Sequence, residues 1–135
     1  MTGLKLKQLQ YESDTWKRLL GFLTDENINL KNRLSEILRD DFESSLLDVL
    51  EIFQNRFINE DNMIGLLRNE IKEYDRVLIR ENFEDGHLKN EVVTLLKKLR
   101  NNMKYAEIES GKLRRDFNSY ITENIYKMEV STPGY

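Results

Sequence analysis

Cysteine is absent from these 135 residues, proline occurs once, at Pro133, and alanine once, at Ala106. Without cysteine there are no disulfides, thiolate zinc sites, iron–sulfur clusters or cysteine nucleophiles. Proline punctuates most loop-rich and all-β proteins, so a chain that lacks it up to residue 133 reads as helices joined by short turns. The single histidine, His87, cannot supply the paired Glu-x-x-His motifs of a di-iron bundle or the His-Glu-x-x-His of a zinc protease. It follows Asp85-Gly86 and is expected on the surface of a first helical turn. The six glycines are scattered and form no phosphate-cradling loop, and Ser35, Ser44 and Ser45 lack the Gly-x-Ser-x-Gly turn of a nucleophile. Carboxylates beside the apolar stripes, such as Glu26, Glu70 and Glu109, arise by chance in a chain that is 33% charged. The reading is of a non-catalytic protein with no metal, cofactor or small-molecule substrate.

Long apolar runs are also missing. The best are LLGFL at Leu19 to Leu23 and VVTLL at Val92 to Leu96, far short of the roughly 20 residues that cross a bilayer. The opening MTGLKLKQLQYESD has neither the apolar centre nor the small-residue cleavage site of a secretory signal. A soluble, cytoplasmic protein without membrane association is expected.

What is present is apolar periodicity. Trp16, Leu23, Leu30 and Ile37 recur every seven residues, with Leu19 or Leu20 and Leu34 between them, which predicts a first helix over about 6–38. Asn27 falls where this stripe expects an apolar residue, a substitution that sets register or partner geometry at some cost in stability. Asp40 and Glu43 have the spacing of a helix N-cap and its reciprocal carboxylate, so a second helix is predicted from there, burying Phe42, Leu46, Val49, Leu50, Phe53 and Phe57. Asn59-Glu60-Asp61-Asn62 reads as a turn. Ile64, Leu67, Ile71, Tyr74 and Leu78 then alternate steps of three and four, for a third helix over about 61–82. After Glu84-Asp85-Gly86, a last helix of close to 40 residues carries Leu88, Val92, Leu95, Leu99, Met103, Ala106, Leu113, Phe117 and Tyr120.

These segments predict one all-α domain over 1–129: an antiparallel up-down bundle of four helices, or three if the first two fuse, with long coiled-coil-like first and last helices. Residues 130–135 are expected to be a disordered tail. At 1.5 Å per residue the last helix would span roughly 60 Å and outrun its neighbours. Its surplus stripe from Leu113 to Met128 would then need cover, and a second copy of the chain is the expected source.

Charge is sorted along the chain. The overall net charge is −3, yet Lys97 to Arg115 carries seven basic residues against two acidic ones, while Asp40 to Asp85 carries thirteen acidic against five basic. On a helical projection Lys97, Arg100, Lys104 and Arg115 fall outward with Lys112 further around, and Glu91, Glu109, Asp116 and Glu123 share a flank with Tyr105. Ile108, Tyr105 and Tyr126 project where solvent is expected. Opposite fields on neighbouring helices can fix which helix sits beside which. A row of cations can also track a phosphate backbone, although a pI of about 5.3 opposes a long polyanion. The expected role is protein–protein contact, including self-association, through Lys97, Arg100, Lys104, Tyr105, Ile108, Lys112 and Arg115. The alternative is a nucleic-acid-associated accessory protein using the basic edge.

Overall fold

Steps of three and four between buried residues continue through each helix of this protein with few interruptions, and they determine how the chain folds. The computed structural model describes residues 2–40, 44–80, 83–84, 87–88 and 90–126, and the side chains of 5–40, 44–79 and 90–125. Helix α1 (Thr2–Arg39) buries Leu9, Ser13, Trp16, Leu20, Leu23, Asn27, Leu30, Leu34 and Ile37. One 3-10 turn, Ser44–Leu46, leads into α2 (Leu47–Arg80), which buries Leu50, Phe53, Phe57, Glu60, Ile64, Leu67, Ile71, Tyr74 and Leu78. Two short antiparallel strands, β1 (Phe83–Glu84) and β2 (His87–Leu88), pair Phe83 with Leu88 and Glu84 with His87. Helix α3 (Asn90–Ile121) buries Val92, Leu96, Leu99, Met103, Ala106, Ser110, Leu113, Phe117 and Ile121, and ends in a wider π-type turn, Thr122–Tyr126. Two successive steps of four, Leu113 to Phe117 to Ile121, lead into that turn.

The result is an all-α up-down-up bundle of three helices. It differs from the predicted four at residues 59–62, where no turn interrupts α2. Glu60 occupies the inward position between Phe57 and Ile64, while Asn59 and Asn62 face out, so the seam is kept. Asparagine and aspartate inside a helix cost only tenths of a kcal/mol each, less than the packing of a continuous apolar face supplies. The fusion is therefore of the second and third predicted segments, and the break after α1 stands. The proposed Asp40–Glu43 cap and the Asp85-Gly86 turn lie outside the described residues. His87 is in β2 instead of a helical turn, and its side chain is outside the described set.

Helix lengths correct a second expectation. Among the described residues the three helices have 38, 34 and 32 residues, so there the last does not outrun the others. Leu113, Phe117 and Ile121 are covered within the chain by Leu30, Leu34 and Ile37 of α1 and Leu50, Phe53 and Phe57 of α2. The surplus stripe that called for a second copy does not exist over the described part of α3; Met128 and the tail 130–135 lie beyond it.

Two apolar clusters stack along the bundle. The first runs from Leu9 to Leu23 on α1, Ile64 to Leu78 on α2 and Val92 to Ala106 on α3, with Trp16 and Tyr74 5.8 Å apart. The second is built on a knot of Phe53, Phe57 and Phe117, in which Phe117 meets Phe53 edge-on at 5.3 Å and Phe57 at 5.1 Å. Such edge-to-face pairs add about 0.5–1.5 kcal/mol beyond area burial. Between the clusters lie Asn27, Glu60 and Ser110.

Candidate functional site

Polar side chains beside the seams tie each pair of helices together, and besides the single links Arg68–Thr24 and Arg33–Asn118 each pair has links that repeat fourteen residues apart. Between α1 and α2, Ser13 Oγ donates to Asp75 Oδ1 at 2.6 Å and Lys17 pairs with Asp75 at 2.6 Å. Fourteen residues along α1, Asn27 Nδ2 donates to Asp61 Oδ1 at 2.6 Å and Lys31 pairs with the same aspartate at 2.5 Å. Between α1 and α3, Arg100 forks onto Glu12 at 2.9 and 2.9 Å, and Arg114 onto Glu26 at 2.9 and 2.6 Å. Between α2 and α3, Asn102 donates to Glu70 at 3.4 Å, and Arg56 pairs with Asp116 at 3.0 Å. Each second member lies two heptads from the first on both helices. The bundle thus has two tiers of clamps with the same layout, and a slip of either partner by one heptad would separate most of them.

The buried polar layer belongs to the lower tier. Asn27 is 3% exposed, and its amide donates to the Phe57 carbonyl at 3.0 Å as well as to Asp61. Its Oδ1 is buried with no donor among the described residues. Glu60 is 7% exposed and accepts a hydrogen bond from the Ser110 hydroxyl. Burial, followed by the nearby charges of Asp61 and Glu109, pushes the Glu60 carboxyl up to about 7. A cavity of about 10 Å³ between Leu23, Glu26, Asn27, Leu30, Glu60, Ser110 and Leu113 is at the lower limit for one water. Outside it, a groove of about 230 Å³ between α2 and α3 is lined by Arg56, Asn59, Glu60, Met63, Tyr105, Glu109 and Leu113.

The residues expected to form a contact surface divide into two groups. Lys97, Lys104, Lys112 and Arg115 are exposed on α3, and none has an acidic partner among the described residues. Ile108 stands in their midst at 54% exposure, and Tyr105, at 60%, rims the α2–α3 groove. Arg100 is different: its guanidinium is committed to Glu12, a contact that holds it all the more firmly charged. The Tyr126 side chain is outside the described residues. Of the acidic flank, Asp116 meets Arg56 of α2 and Glu109 lines the groove with Glu60.

Sequence reasoning missed Glu60, Ser110 and Arg114. The first two could be found by continuing the alternation of threes and fours through polar residues, since Glu60 follows Phe57 by three and Ser110 follows Ala106 by four. Glu26, Glu70 and Glu109 do not come together: they serve Arg114, Asn102 and the groove respectively. Among the described residues no group of three His, Asp or Glu side chains is placed to hold a metal ion, and no helix is long and apolar enough to cross a membrane. No protein family, curated protein or solved structure matches this chain.

Proposed function

We propose that this protein is a non-catalytic, coiled-coil-type interaction module whose α3 outer face, from Lys97 to Arg115, docks an acidic surface of another protein. The observation that carries this reading is the division of the cations. Arg100 and Arg114 are consumed in holding α3 to α1, whereas Lys97, Lys104, Lys112 and Arg115 surround the exposed Ile108 without acidic partners among the described residues. An apolar residue in a row of cations, with the exposed Glu107 beside it, favours an acidic partner in approach and in register. Self-association through this face alone is disfavoured, because a two-fold contact sets the same patch against itself and would oppose like charges.

A second reading, contact with a nucleic-acid backbone, draws on the same row of cations and is weighed down by the net charge of −3. One experiment separates the two. A photo-crosslinking residue placed at Ile108, in the native cells, should capture a protein adduct that is lost in Lys104→Glu/Arg115→Glu and absent when the same residue replaces Asp25 on α1. A nuclease-sensitive adduct would support the second reading, and no adduct at all would contradict both.

A further inference from the structure

The hydrogen bonds of the lower polar layer do not balance. Both amide hydrogens of Asn27 are spent, one on the Phe57 carbonyl and one on Asp61, and the Ser110 hydroxyl is spent on Glu60. One buried acceptor of the layer, Asn27 Oδ1, remains without a donor among the described residues, and none of these three side chains has a hydrogen left to offer it. One hydrogen on Glu60 would make up the deficit, turning the carboxylate from a second acceptor into a donor toward the cavity it shares with Asn27.

The surroundings favour that proton. On α2, Asp61 adjoins Glu60 in sequence and Arg56, one turn away, is held by Asp116. On α3, Glu109 faces it, Arg114 is held by Glu26, and Tyr105 and Ser110 complete that side. On α1, Glu26 lines the cavity and Lys31 is held by Asp61. Arg56, Arg114 and Lys31 are each held by another carboxylate, and Asp61 and Glu109 both oppose a negative charge on Glu60. Glu60 also lines the α2–α3 groove, so solvent protons have a short route to it.

We propose that the Asn27–Glu60–Ser110 layer is a proton-operated latch between α2 and α3, closed while Glu60 carries a proton and loosened when it ionises. An ionised Glu60 is a buried charge without a counter-ion, and the least disruptive relief is to part α2 from α3 along the groove until water reaches the carboxylate. The direction follows from linkage. The folded chain holds this proton up to about pH 7, the unfolded chain only to the ordinary carboxylate value of 4.5, so stability from this group falls as pH rises through that interval and is level above it. The latch is independent of the docking reading.

The test is a carboxyl ¹³C NMR titration of the full chain, with the Glu60 resonance assigned by its loss in Glu60→Gln, together with equilibrium unfolding of both proteins at pH 5 and pH 8. The expected result is a midpoint above 6 for Glu60. Relative to Glu60→Gln, the wild-type unfolding constant should rise on the order of 100-fold between the two pH values. A midpoint near 4.5, or the same pH profile in both proteins, would overturn the proposal. Should Glu60→Gln fail to fold, the carboxyl resonance that moves with the Ser110 and Asn27 signals decides by its midpoint alone.

Discussion

Fourteen residues separate two levels of this bundle that share one frame and differ in what fills it. In the upper level the inward positions are Ser13, Tyr74 and Leu96; in the lower they are Asn27, Glu60 and Ser110. Both levels carry the same clamps, an aspartate of α2 gripping α1 and an arginine of α3 forked onto a glutamate of α1. Above, Tyr74 packs on Trp16 with its hydroxyl unpartnered among the described residues, and burial pushes that hydroxyl up to about 12, so this inward position stays neutral through the physiological range. Below, the equivalent position is a carboxyl that burial pushes up to about 7. The frame sets register, and the filling decides whether a level responds to pH.

The largest loss of stability is expected at the aromatic knot under the lower level. Phe57→Ala removes a fully buried ring that meets Phe53 and Phe117, and should cost about 3–5 kcal/mol by urea unfolding. Glu60→Gln should sharpen it: at pH 8 the variant should be more stable than wild type by up to about 3 kcal/mol, while at pH 5 the two should differ little. Asn27→Ala leaves Asp61 and the Phe57 carbonyl short of a donor and should cost about 1–3 kcal/mol, more than Ser13→Ala in the upper level, which breaks a single bond to an aspartate that Lys17 still holds. Arg100→Ala and Arg114→Ala should each cost no more than about 1 kcal/mol, and less in high salt, because both ion pairs are partly exposed.

Much of this frame is legible in the sequence because spacing within one helix depends on local geometry alone. Trp16, Leu23, Leu30, Leu99, Leu113 and Phe117 are buried as their periodicity implies, and so are Ile64 through Leu78 at every expected step. Adjacent leucines are where the period is ambiguous: Leu20 and Leu96 are buried, Leu19 and Leu95 only partly. The join at residues 59–62 was hidden because Asn, Glu, Asp, Asn in a row has the composition of a turn, and only the position of Glu60 between Phe57 and Ile64 shows that the seam runs on. The clamps were illegible for another reason. Which glutamate meets Arg100 depends on the stagger of α1 against α3, and no residue spacing within either helix sets that distance. For the same reason Arg100 looked as free as Lys104, and the acidic flank of α3 gave no hint that Asp116 meets a cation while Glu109 faces another carboxyl.

The central claim, that one level of the bundle is tuned to pH and its twin is not, is tested most directly by amide hydrogen exchange resolved by residue at pH 5.5 and pH 8, corrected for intrinsic rates. Protection at 57–64 and 106–113 should fall on going to pH 8 while protection at 67–78 and 92–103 holds. An equal change at both levels, or none at either, would contradict it.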